Sequence, residues 1–439
     1  HYICDNLIYL KMIKNYLIVS LLCCFLGFSQ FNSSAPWMTN VGTTKNGEAT
    51  IDEIVTAFNT YWLSRDKNAR GAGYKPFMRW EYHWRNYTNE QGYVLSSDDF
   101  WAAWRQKNQA KMNRSTPISL TVGNWEPVGP FTHTNTGSWS SGQGRVNIVH
   151  VDPSNVNTIY LGAPAGGIWK STNSGSTWVP LTDELPQIGV SGIAVDYSNS
   201  NTIYIATGDK DAGDSYSVGV YKSTDGGLTW NPTGTMGASN PSNAGDILIH
   251  PTNNQILWCA TTTGIYKTTN AGISWTQVQA GDFSQGNIRL KPGDPTTVYA
   301  VSDTSFFRST NSGTTFTQIS SGLPVSSGRL VMDVTPANPN YIYVLSATTG
   351  SAFQGIYGSI DGGTTFNPRN TTTNVFESTQ AWYDLALAVS PSNADEIYTG
   401  CLNVWKSTNG GVSITKINNW SSPSAPSYTH ADIHYLGFH

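Results

Sequence analysis

The stretch Ser223-Thr224-Asp225-Gly226-Gly227-Leu228-Thr229-Trp230 decides the architecture of this chain. It reads as Ser, any residue, Asp or Asn, any residue, Gly, any residue, Ser or Thr, then an aromatic. The frame returns at Ser171–Trp178, Thr268–Trp275, Ser309–Phe316, Ser359–Phe366 and, degraded, Ser407–Ile414. Its starts lie 52, 45, 41, 50 and 48 residues apart, a period that marks a propeller or solenoid built from one supersecondary unit per repeat. An aromatic strand precedes most copies, as in Gly167-Ile168-Trp169-Lys170, Gly219-Val220-Tyr221-Lys222 and Gly264-Ile265-Tyr266-Lys267. A second strand leaves from the closing aromatic. Between them the acid or amide (Asn173, Asp225, Asn270, Asn311, Asp361, Asn409) accepts hydrogen bonds from its own turn. The fixed Gly supplies a positive φ. The closing Trp or Phe staples the hairpin by burying a large apolar body. These six residues are therefore expected to be structural.

Each repeat supplies four strands. An inner strand ends in Val151-Asp152-Pro153, Ile249-His250-Pro251, Leu290-Lys291-Pro292, Val334-Thr335-Pro336 or Val389-Ser390-Pro391, with Pro at the exit. Short runs with Tyr or Trp follow, such as Ile159-Tyr160 and Leu257-Trp258, then the third strand, the turn and the fourth. Four strands per repeat make a propeller blade. Six repeats are expected near 143–182, 189–234, 244–278, 285–320, 328–369 and 381–417. Tyr428 to Leu436 reads as the inner strand of a further blade. The expected fold is thus all-β, a propeller of about seven four-stranded blades with the last truncated, over residues 121–439. Trp125-Glu126-Pro127-Val128-Gly129-Pro130 reads as an outer strand closing the ring.

The repeat resembles the Asp-box, or BNR repeat, of sialidases, sortilin-type receptors and family 74 glycoside hydrolases. The resemblance covers roughly residues 125–439. It implies the propeller fold and places the turn away from the ligand. In family 74 an acidic catalytic residue lies two positions before a Gly-Gly-x-aromatic run. Here that run is Gly166-Gly167-Ile168-Trp169, and the matching position is Pro164, which cannot serve as acid or base. The arginine triad and Tyr nucleophile of sialidases are not recognisable. The resemblance to sortilin-type propellers implies ligand binding.

Residues 30–120 have a different texture. Thr50-Ile51-Asp52-Glu53 is a capping box, followed at helical spacing by Ile54, Val55, Phe58, Tyr61 and Trp62. Further helices are expected over Lys75 to Tyr87, with Pro76 in the first turn, and from Ser97, with Asp98 and Asp99 favouring the helix dipole. Aromatic stripes at such spacing read as the core of a small helical cap, and alternatively as a surface that stacks on sugars. The run Arg79-Trp80-Glu81-Tyr82-His83-Trp84 is similar to aromatic prefaces of bacterial propeller proteins exported by type IX secretion. Residues 1–29 hold upstream residues and a signal peptide from Met12, with Lys14, an apolar core to Phe28 and cleavage before Gln30. The run is short for a membrane span, so the mature chain is expected to lack a transmembrane segment and to be secreted or at the cell surface. Cys4, Cys23 and Cys24 would leave with the leader. Cys259 and Cys401, three repeats apart, read as buried thiols.

The formal net charge is −4 with few, scattered Lys and Arg, which excludes a basic nucleic-acid face. Chemistry has four candidate places. Asp209, Asp211 and Asp214 lie within six residues and fit calcium, the one cofactor suggested, or an ordinary acidic loop. His430, Asp432 and His434 alternate, so on a strand they share a face that could hold a transition metal or line the channel. Arg145, Asp246, Arg329 and Asp384 stand at the starts of inner strands, facing the channel mouth. Arg145, Arg329 and Asp384 are ligand-binding candidates there. Asp246 and Asp384 are the only pair for two-carboxylate glycoside hydrolysis, with ion pairing to an Arg as the alternative. No Gly-x-Ser-x-Gly elbow, Walker loop or zinc-protease helix is present. The expected function is binding of a protein or glycan ligand by a propeller without an evident catalytic site; the alternative is a glycoside hydrolase acting on extracellular polysaccharide.

Overall fold

The computed structural model describes residues 35–41, 49–68, 73–95, 97–112, 144–186 and 188–438. The signal peptide, the three leader cysteines and the closing strand at Trp125 lie outside the described residues. Two compact units are present, one up to residue 113 and one from 114.

The first unit is helical. A 3-10 turn, Pro36–Asn40, precedes α1 (Ile51–Trp62), α2 (Tyr74–Trp84) and α3 (Ser97–Met112). The capping box forms at α1: the Glu53 amide donates to the Thr50 hydroxyl and the Glu53 carboxylate accepts from the Thr50 amide at 2.8 Å. The apolar spacing of α1 turns Ile54, Phe58 and Trp62 inward against Ala35, Trp37 and Phe77. Phe58 and Phe77 stack with ring centroids 3.6 Å apart. The aromatic stripe is therefore the unit's own core, while Tyr82 is exposed.

The second unit is an all-β propeller with six four-stranded antiparallel sheets among the described residues. Blade one comprises β1 (Ile148–Asp152), β2 (Asn155–Ala163), β3 (Gly167–Ser171) and β4 (Val179–Pro180). Blade two comprises β5 (Val190–Asp196), β6 (Asn199–Thr207), β7 (Val220–Ser223) and β8 (Asn231–Pro232). Blade three follows with β9 (Ala244–Ile249), β10 (Leu257–Thr261), β11 (Gly264–Thr268) and β12 (Thr276–Ala280), and blade four with β13 (Ile288–Lys291), β14 (Asp294–Val301), β15 (Phe306–Ser309) and β16 (Thr317–Ile319). Blade five has β17 (Arg329–Val334), β18 (Ile342–Ala347), β19 (Phe353–Ser359) and β20 (Asn367–Asn370). Blade six has β21 (Ala386–Val389), β22 (Ile397–Gly400), β23 (Val404–Ser407) and β24 (Thr415–Lys416).

The expected count of about seven is corrected to six among the described residues. Residues 428–436 do not form a strand. Asp432 has φ 76°, a left-handed conformation that breaks strand alternation, and the segment is tied to blade six through the Ile433 amide, which donates to the Cys401 carbonyl at 2.8 Å.

The core lies between blades. Tyr299, Val301 and Phe306 of blade four interdigitate with Leu330, Met332, Ile342 and Val344 of blade five, and the same pattern joins blades two and three. Cys259 and Cys401 are fully buried free thiols within this core.

All six octapeptide turns close with one hydrogen-bond pattern. In the type copy the Ser223 hydroxyl donates to Asp225 at 2.7 Å and accepts the Gly227 amide at 2.8 Å, while Asp225 accepts the Thr229 amide at 2.9 Å. The Thr229 hydroxyl and amide hold the Asp225 carboxyl down to about 2. The turn needs two successive left-handed residues. Gly226 and Gly227 take φ of 75° and 96°, and Ser174, Ala271 and Ser312 occupy the first of these positions in their copies. The closing aromatics do more than staple a hairpin, because each of three reaches the preceding blade. The Trp230 indole donates to the Leu181 carbonyl at 2.9 Å, Trp275 to the Thr233 hydroxyl at 3.1 Å, and Phe366 packs edge-on against Phe306 at 4.8 Å.

Candidate functional site

Three sequence candidates converge at one end of the propeller. Arg145 stands just before β1, and Arg329 opens β17. The β6–β7 connection, closed on itself by the Asp209 amide donating to the Ser215 carbonyl at 3.0 Å, carries the three acids. Asp209 receives the Arg145 guanidinium at 2.5 Å, the Asn147 amide group at 3.1 Å and the backbone amides of Asp211, Ala212 and Asp214. Asp214 takes a second, longer contact from Arg145 at 3.3 Å. Asp211 is fully buried between Arg329, at 2.7 Å, and His434 Nδ1, at 2.9 Å. Burial alone would raise Asp211, but Arg329 and His434 outweigh it and hold the carboxyl well below its ordinary range. An ionised carboxylate only accepts, so His434 carries its proton on Nδ1.

Of the three acids read as either a calcium site or an ordinary acidic loop, Asp209 and Asp211 are committed to guanidinium, imidazole and amide donors, while the Asp214 carboxylate is half exposed with only the Arg145 contact among the described residues. The expected one-faced set of His430, Asp432 and His434 is separated by the left-handed turn at Asp432. His430 stays exposed, with 4.0 Å between its Nδ1 and Asp432, and His434 is buried on Asp211. Among the described residues no three of His, Cys, Asp and Glu gather as a metal site.

The two carboxylates nominated for hydrolysis stand apart in environment. Asp246 is bound by Arg289 at 2.9 Å and by the Ile288 amide at 3.2 Å. Arg289 also holds Asp333 at 3.2 Å, so one guanidinium joins blades three, four and five. Asp384 is fully enclosed beside Cys401, and burial pushes its carboxyl up to about 7. Gln380 bridges it to the cavity side, donating to Asp384 at 3.1 Å and to Asp432 at 2.7 Å.

A cavity of about 590 Å³ opens here, lined by Arg145, Val149, Tyr383, Asp432, Ile433 and His434 among others. Tyr383 presents its ring to the Arg145 guanidinium, 5.1 Å from the centroid, and edge-on to His434 at 4.6 Å. Trp382, beside it, is 54% exposed, and Tyr216, on the acidic loop, is 64% exposed. Pro164 holds no chemistry; its carbonyl accepts the Ser215 hydroxyl and anchors that loop.

Arg289, Tyr383, Trp382 and Asn147 were not singled out by sequence. Arg289 had a signal, a charge inside the apolar run Ile288-Arg289-Leu290. Trp382 and Tyr383 open the sixth expected repeat, just before β21, and had none.

No family model matches the chain. A xyloglucanase, Xgh74A, of Acetivibrio thermocellus is 36% identical over 114 residues, which is 24% of this chain and 14% of that protein. A xyloglucanase of Paenibacillus sp is 27% identical over 143 residues, 30% of this chain and 14% of that one. The matched stretch is thus a small part of those curated relatives. Among solved structures, a GH74 enzyme of Niastella koreensis is similar at TM-score 0.49 and 22% identity, covering 65% of this chain and 48% of that one. YCF48 bound to D1 peptide is similar at TM-score 0.45 and 15% identity, covering 62% and 80%. Among the described residues no helix is long and apolar enough to cross a membrane.

Proposed function

We propose that this chain is a secreted or cell-surface propeller that binds a polysaccharide at the Arg145–Tyr383–His434 cavity without cleaving it. The observation that carries the reading is a division of labour between aromatic and acidic side chains on the loops around that cavity. Two aromatic side chains, Trp382 and Tyr216, are exposed on the loops that hold Tyr383 and Arg145, while the nominated acids are ion-paired or enclosed. Exposed rings on the connections that carry Tyr383 and the Arg145-binding acids suit the flat faces of sugars, and committed carboxylates suit holding rather than hydrolysis. The partial likeness to xyloglucanases supports a glycan over a protein as the ligand. In this reading the six turns are Asp-boxes of the sortilin and family 74 kind, and the Met12 leader directs export.

The hydrolase reading has one observation in its favour. Asp432 lines the cavity and is linked through Gln380 to Asp384, whose carboxyl burial pushes up to about 7. A binding and reducing-end screen on xyloglucan and other polysaccharides separates the two. Binding without new reducing ends is expected. Release of reducing ends that disappears in Asp432→Asn or Asp246→Asn would make the protein a glycosidase.

A further inference from the structure

A second, smaller cavity of about 20 Å³ lies deeper among the inner strands. Its walls include Lys210, Arg289, Arg329, Asn287, His434 and Tyr435, with Val331 and residues 385–387 supplying the apolar part. Three cationic side chains face this space and no Asp or Glu lines it. The acids that neutralise the region, Asp211, Asp246 and Asp333, approach Arg329 and Arg289 from outside the lining.

The walls hold donors without partners. Among the described residues the Lys210 ammonium makes no hydrogen bond or ion pair with the protein; only its backbone amide is bonded, to the Ser191 hydroxyl at 3.0 Å. Arg329, 2% exposed, spends one terminal nitrogen on Asp211 and the other on the Ala381 carbonyl, and its Nε is buried with no partner. His434 Nε2 is also buried with no partner, but with the proton on Nδ1 it is an acceptor and not one of these donors. Burial lowers the Lys210 ammonium from its ordinary value despite Asp211 and Asp246 nearby. Leaving such groups unsatisfied in a low dielectric is costly. A water needs roughly 10–15 Å³ of this kind of volume, so the space admits one particle of that size class.

We propose that this cavity is a binding site for a small inorganic anion of chloride size, held by Lys210 and the Arg329 Nε–H. An anion accepts from both donors at once, and its charge offsets the Lys210 ammonium, which has no ion pair among the described residues. His434 and Tyr435 line both this space and the 590 Å³ cavity, so the anion sits directly behind the wall of the larger pocket.

The test compares thermal unfolding in sodium chloride and sodium gluconate at equal ionic strength, for the full chain and for Lys210→Met. The full chain is expected to gain a saturable rise of roughly 5 °C in chloride alone, as a one-site ligand gives at about a hundred times its Kd. Lys210→Met is expected to lose that rise. A bromide-soaked crystal of the unaltered protein gives a second readout that does not depend on the variant folding: an anomalous peak within hydrogen-bond reach of Lys210 Nζ. Equal stabilisation by gluconate, a chloride response that survives Lys210→Met, or a water in place of the bromide peak would each overturn the site.

Discussion

The outer turns and the channel mouth use their Asp and Asn side chains in opposite ways. Asp225 and its five counterparts sit on turns, each working within eight residues of chain. Asp209 and Asp211 are buried, and their partners lie 64 residues away at Arg145, 118 at Arg329 and 223 at His434. A turn that satisfies itself can be copied into every blade, so it appears as a repeat. A network that spans blades one, two and five exists once, and no copy of it announces it. The difference teaches where repetition stops being informative: it specifies the scaffold and says nothing of the mouth.

Removing one partner from the mouth should have the largest effect. Arg329→Ala leaves Asp211 buried and uncompensated, with an expected loss of about 3–5 kcal/mol in denaturant unfolding. Arg329→Met combined with Asp211→Leu, which removes both charges, should recover most of it. A single variant costing under about 1 kcal/mol would show that the mouth is no more demanding than the rim.

The next effect has the opposite sign. The Asp384 carboxyl is raised in the folded state to about 7 from an ordinary value near 3.8, so the stability of its neutral form is present below about pH 4 and lost as pH rises through 7. Asp303, pushed up to about 6 by burial, acts in the same direction. Stability should fall between pH 4 and pH 8, by up to about 4 kcal/mol from Asp384 alone. Asp384→Asn should flatten much of that slope in a pH series of unfolding curves. An unchanged slope would remove Asp384 as its source.

At the rim, Ser309→Ala deletes the hydroxyl that accepts the amides of Asn311 and Gly313, and should cost about 1–2 kcal/mol. The equivalent changes Ser171→Ala and Ser359→Ala should cost similar amounts, since the bonds are the same. Widely different values would mean the turns are not interchangeable. The smallest effect is expected from chelation. With Asp209 and Asp211 already held by Arg145, Arg329 and His434, EDTA should move the unfolding midpoint by less than about 1 °C; a shift of several degrees would show the loop opening to bind calcium.

Much of the scaffold was legible because its signals are local. The octapeptide frame, the Pro at strand exits and the Thr50–Glu53 capping box all act within a few residues, and each forms as read. The blade count was misjudged because Tyr428 to Leu436 has strand-like alternation, while the left-handed Asp432 and the tether to Cys401 are tertiary facts. Arg145, Arg329 and the acidic loop were visible individually as charges in an apolar or turn-rich setting. Their union was not, because sequence separation hides which blades meet at the axis. The exposed Trp382 and Tyr216 were invisible for a related reason, since an aromatic on a connection looks the same whether buried or bare.

The central claim is that the mouth binds a polysaccharide and leaves it intact. Isothermal titration of xyloglucan oligosaccharides, run alongside a reducing-end assay, tests it most directly on the unaltered chain and on Trp382→Ala. That variant removes a half-exposed ring and should leave stability within about 0.5 kcal/mol. The account predicts saturable binding, a roughly tenfold loss of affinity in Trp382→Ala and no new reducing ends. Reducing ends that accumulate with time, or affinity indifferent to Trp382, would contradict it.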